Sequence, residues 1–139
     1  MSGADAPGAA GAAGALRDLL ERYDRDNRLA IDTVYAQFSP TLDDFYHEAL
    51  TVVFPEPAVA GGPAAEVRPE ITLTRTVPGQ EPKSVRGAGA PFPLARAAAL
   101  AAAALGRDGL RLRPRQVGRG QRVALLVEPE GTDVASVLP

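Results

Sequence analysis

The chain has 139 residues, a net charge of −2, 45% hydrophobic residues and only 5% aromatic ones. That length suits one domain, with a core of Ala, Val, Leu and Ile whose modest burial, at about 25 cal/mol per Å², leaves room for completion by a second subunit. The complete lack of cysteine excludes disulfides, thiolate catalysis and cysteine metal sites together and suits a reducing compartment.

Residues 1–14, MSGADAPGAAGAAG, have no basic start and no continuous apolar run, so they do not read as a secretory signal. Their Gly/Ala composition predicts a disordered tail. Residues 15–54 are predicted to be helical. Leu16, Leu19, Leu20, Tyr23, Ile31, Val34, Tyr35 and Phe38 recur at three- and four-residue spacings, which fits one amphipathic helix from about 15 to 38. The polar run DRDN at 24–27 is the place where it would split. Ser39-Pro40 then reads as a restart, with serine as cap, proline at the first helical position, and Asp43 and Asp44 favourable to the helix dipole. Leu42, Phe45, Ala49, Leu50 and Val53 would form the buried stripe of this second helix. Residues 55–69 form a Pro/Gly-rich connector.

From residue 70 the pattern changes. Ile71, Leu73 and Val77 alternate with Thr72, Thr74 and Thr76, which predicts a strand over 70–77. Pro78-Gly79 suits the centre of a type II turn, and PKSVRGAGAPFP supplies a second strand and a glycine-flanked loop. An alanine-rich helix over 93–105 ends at Gly106, a natural left-handed cap. Segments 110–117 and 121–128 read as a strand pair, with Pro114 placing the first near an edge; 131–139 add a short strand or stay loose. The expected fold is α+β: N-terminal helices, then a mainly antiparallel ββαββ sheet with one alanine-rich helix packed on it. The sheet–helix unit, 70–139, would form one compact domain with 15–54. No run of about 18 apolar residues exists, so no spanning helix is expected, and the reading is a soluble, cytoplasmic protein.

Charge is distributed unevenly. Residues 1–69 hold 11 acids and 5 bases, whereas residues 70–139 hold 6 acids and 10 bases. Such asymmetry fits an acidic half docking on a basic half, or an anion-binding face on the second half.

Candidate chemistry is sparse. His47 is the sole histidine; on a helix, Asp43 would lie one turn before it, giving a carboxylate–imidazole pair with Asp44 nearby. A small enzyme using these residues is the second alternative, ranked low because no nucleophile or cofactor motif accompanies them. Asp24 and Asp26 open a D-x-D-N run, but Leu29 and Tyr35 stand where a calcium loop needs Gly and Glu, so these residues read as the polar face of a helix. No metal site and no cofactor are expected. Gly87 and Gly89 precede a helix start, where free amides receive anions; with Arg86, Pro91 and Arg96 they form the candidate ligand site. Arg111, Arg113 and Arg115 alternate with leucines, and Arg107, Arg119 and Arg122 lie close in sequence. That arginine face at 107–122 is the nucleic-acid alternative. This half has one aromatic, Phe92, and one lysine, Lys83, so a solvated face or one meeting the acidic half is preferred.

The block ITLTRTV, the RGAGAP loop at 86–91, LARAAALAAAALG and the strands LRLRPRQ and RVALLVE resemble the C-terminal regulatory domain of isopropylmalate synthase-type enzymes. The resemblance covers residues 71–127, with Ala90 in place of a third glycine and no second ββα copy after residue 130. It implies a domain that pairs subunits and binds a small effector, with Gly87, Gly89 and Pro91 shaping the pocket mouth. Residues 40–105 are also similar in element order to a double-stranded RNA-binding domain. Ala65 replaces its histidine, and Phe92 and Pro93 replace its lysines, so that resemblance implies protein contact rather than phosphate binding. Together these readings point to a non-catalytic dimerisation or binding module, acting on itself, on a partner protein or on a small anionic ligand.

Overall fold

A computed structural model describes residues 8–38, 46–55, 65–118 and 120–138. Helix α1 spans Ala9–Tyr35 without a break. Its buried positions Leu16, Leu20, Tyr23, Asn27, Ile31 and Val34 follow one another at steps of three and four, the stripe that a 3.6-residue period lays along one face. The helix begins earlier than expected. Residues 8–14 are not a loose tail, because alanine is the strongest helix former and Ala12 and Ala13 are buried; residues 1–7 lie outside the described residues. The DRDN run does not split the helix either.

Three strands follow: β1 (His47–Val53), β2 (Glu70–Thr76) and β3 (Lys83–Ala88). They form an antiparallel sheet in the order β1-β2-β3. The expected second helix is therefore corrected over 47–53, and the helical segment does not extend to 54. Leu50 and Val52 are buried between exposed Ala49, Thr51 and Val53, a two-residue period, and the Thr-Val-Val run favours an extended backbone. Ala49 and Val53 thus face away from the core. Residues 39–45, including the Ser39-Pro40 restart, lie outside the described residues, as do 56–64 of the connector.

The strand expected over 70–77 is present. Leu73 stands between Leu50 and Val85, and Ile71 between Val52 and Gly87, so the apolar rows coincide on the face covered by α1. Pro78 and Gly79 form the β2–β3 turn, with Gly79 at φ 81° and the Gln80 amide donating to the Val77 carbonyl at 3.0 Å. At this same end of β2, Arg75 lies 4.5 Å from the Phe38 ring centre and 4.6 Å from that of Tyr46, and pairs with Glu48 at 3.1 Å.

Helix α2 (Leu94–Leu105) ends at Gly106, whose φ of 69° is left-handed. It packs chiefly on α1, with a lesser contact to β4. This corrects the expectation that it lies across the sheet: α1 already covers the apolar sheet face, and the small Ala97 and Ala101 side chains, fully buried, permit close helix–helix approach. A second antiparallel sheet contains β4 (Arg111–Pro114), β5 (Leu125–Glu128) and β6 (Thr132–Asp133), in that order. The single expected sheet is thus two three-stranded ones, joined by an isolated bridge between Leu50 and Val117. Pro114 does lie on an edge strand. Helix α3 (Val134–Val137) closes the fold, capped by Asp133 through the Ala135 amide.

Candidate functional site

Two surfaces stand out from the residues upward. The first is the outer side of α2. Eleven of its twelve residues are Ala or Leu, yet among them only Ala97 and Ala101 are fully buried, while Ala95, Ala99 and Ala103 are exposed. Its one charge, Arg96, is exposed in the first turn. Apart from that arginine the exposed positions are all alanine, where a surface helix normally presents polar and charged residues.

The second is a shallow cleft of about 570 Å³ at the end of the first sheet, lined by Val53, Arg68, Pro69, Glu70, Arg86 and Gly87 among others. It contains two of the sequence-predicted ligand residues, Arg86 and Gly87, and adds Arg68, which sequence reasoning placed in the connector. Neither arginine makes an ion pair among the described residues. The other predicted members sit elsewhere. Gly89 is buried against α1: a Cβ there would come within 2.2 Å of Asn27 Oδ1 and 2.5 Å of Pro69 Cγ. Its amide donates to the Pro69 carbonyl at 2.8 Å, and the Phe92 amide donates to Val67 at 2.9 Å. The Pro91 carbonyl accepts from Arg22 Nη2 at 3.0 Å, and the same nitrogen pairs with Glu66 at 2.7 Å. The loop is therefore a clamp that fastens the sheet to α1, and the close approach it needs accounts for Gly89.

The arginine face is partly answered by local carboxylates. Arg113 pairs with Glu128 at 2.9 Å, Arg107 with Glu130, and Arg122 approaches Asp24 at 3.9 Å. Arg111 and Arg115 are exposed, and Arg119 lies outside the described residues. His47 is exposed on β1 opposite Thr76, so one-turn helical spacing from Asp43 does not apply; Asp43 and Asp44 lie outside the described residues. Among the described residues no cluster of three potential metal ligands occurs, and no helix is long and apolar enough to cross a membrane.

Two polar side chains of α1 are buried: Tyr23, which the sequence places on the apolar stripe, and Asn27, which sequence reasoning missed. Asn27 is 1% exposed; its Nδ2 donates to the Tyr23 carbonyl at 3.1 Å, while its Oδ1 has no partner. The hydroxyl of Tyr23 is likewise buried without a partner. Burial, aided by the Asp24 carboxylate, pushes that phenol well above its ordinary value. The signal was present: Asn27 falls four residues after Tyr23 and four before Ile31, on the apolar stripe. No protein family, curated protein or solved structure matches this chain.

Proposed function

We propose that the chain is a non-catalytic assembly module that pairs with a second copy of itself through the outer face of α2. The observation that carries this reading is the composition of α2 against its burial: one charge in twelve residues, with two residues fully buried. Alanines allow two helices to approach closely, and a nearly uncharged face is complementary to itself, as an isologous contact requires. A dimer of this kind would complete a core that few aromatic residues help to fill. It agrees with the subunit-pairing role implied by the resemblance to isopropylmalate synthase-type regulatory domains. In the same reading a small anion would sit at the Arg68–Arg86 cleft, and the absence of cysteine favours the cytoplasm.

Nucleic-acid binding through residues 107–122 is the lesser reading, because carboxylates within the chain already answer Arg107 and Arg113. It would require affinity that falls steeply with salt.

The cysteine-free sequence makes a clean test. Ala95→Cys, Ala99→Cys and Ala103→Cys, introduced one at a time, are oxidised alongside Leu29→Cys, which replaces a residue 71% exposed on α1. At least one α2 variant should form an intermolecular disulfide much faster than the α1 variant. Equal, slow cross-linking at all four positions would remove the proposal.

A further inference from the structure

A second cavity, of about 320 Å³, lies between α1, the segment joining β4 to β5, and the start of α3. Leu20, Val117, Val123 and Leu125 give it an apolar wall, and Arg115, Gln121 and Arg122 bring polar groups to it. The volume is at the lower end of the roughly 300–1,000 Å³ range of small-molecule sites. Of the residues singled out in the sequence, Arg115 and Arg122 of the arginine face line it, and none of the candidate ligand site at 86–96 does.

The polar groups are mostly donors. Arg115 makes no ion pair among the described residues, and Arg122 is held only loosely, 3.9 Å from Asp24. Asp24 itself accepts from the Val123 amide at 2.9 Å, which fixes the far wall to α1. Asp133 also lines the cavity, but its carboxylate is engaged in capping α3. Tyr23, 2% exposed, also belongs to the wall, but its hydroxyl is buried away from the cavity.

From this combination we infer that the cavity is a binding site for a small monoanion bearing a short aliphatic chain. The chain would lie on Leu20, Val117, Val123 and Leu125. The anionic oxygens would face the guanidinium groups of Arg115 and Arg122, which suit a carboxylate better than any neutral polar group. Inorganic phosphate satisfies the guanidinium groups but leaves the apolar wall wet, and an alkylammonium satisfies the wall but opposes the arginines.

The test is an amide chemical-shift titration of the full chain with hexanoate, hexylamine and inorganic phosphate. Hexanoate should move the amides of Val117, Val123 and Ala135 saturably, hexylamine should not, and phosphate should bind more weakly. Arg115→Gln, at an exposed position, should weaken hexanoate about tenfold while leaving the unliganded spectrum folded. Equal shifts from hexanoate and hexylamine, phosphate binding as tight as hexanoate, or no saturable shift would each overturn the inference. Its failure is separate from that of the assembly proposal, since hexanoate binding is read on the chain whether it is monomeric or dimeric.

Discussion

Gly89 shows how little slack the α1–sheet contact has. A methyl at that position would enter the Pro69 ring and the Asn27 amide together, and a proline ring cannot swing aside. Gly89→Ala should therefore destabilise the protein by about 1–3 kcal/mol, read as a lower urea midpoint with an unchanged slope. Arg75 is the second residue whose role is specific to its chemistry. Its guanidinium is stacked between Phe38 and Tyr46 and paired with Glu48. Arg75→Ala should cost about 1–2 kcal/mol, and Arg75→Lys should not restore it, since lysine lacks the planar fork. Tyr23 sets a pH dependence. Its phenol titrates higher in the folded chain than in the unfolded one. The unfolded state thus loses this proton first, and stability falls as pH rises above about 10. Tyr23→Phe should remove that part of the alkaline loss in denaturation curves measured between neutral and strongly alkaline pH. The roles of Gly89 and Arg75 were not legible in the sequence, because each depends on groups distant along the chain, whereas the burial of Tyr23 was legible from its place on the α1 stripe.

At the scale of elements the sequence was readable where a single period dominated. The alternation of Ile71 and Leu73 with threonines gave β2, Pro78-Gly79 gave its turn, and the alanine run with Gly106 gave α2. It misled where two signals competed. A serine, a proline and two aspartates resemble a helix start, and they outweighed the Thr51-Val52-Val53 run that forms β1. The Gly/Ala opening was read by composition as a tail, although alanines make a helix wherever a neighbour accepts them. That correction can be tested. Ala12→Asp or Ala13→Asp should cost about 2–3 kcal/mol by placing a charge in a buried position. Ala10→Asp, at an exposed site of the same turn, should be nearly silent; a loose tail would make all three silent in thermal unfolding.

For the whole molecule, the uneven charge is only partly resolved within the chain. Arg75–Glu48 and Arg122–Asp24 bridge the acidic and basic halves, whereas Arg107–Glu130 and Arg113–Glu128 lie within the basic one. The candidate site was legible in composition but not in position. The alanine helix was visible, but its placement on α1, with an apolar side turned outward, follows from α1 having taken the sheet face. Of the predicted ligand residues, Arg86 and Gly87 do share a cleft, while Gly89 and Pro91 serve the clamp. Assembly through α2 is the claim on which the functional reading stands. Sedimentation equilibrium of the unmodified chain beside Ala99→Glu/Ala103→Glu tests it most directly. We expect a concentration-dependent dimer for the first and a folded monomer for the second. A monomer at every concentration for the unmodified chain, or a dimer untouched by the two glutamates, would contradict it.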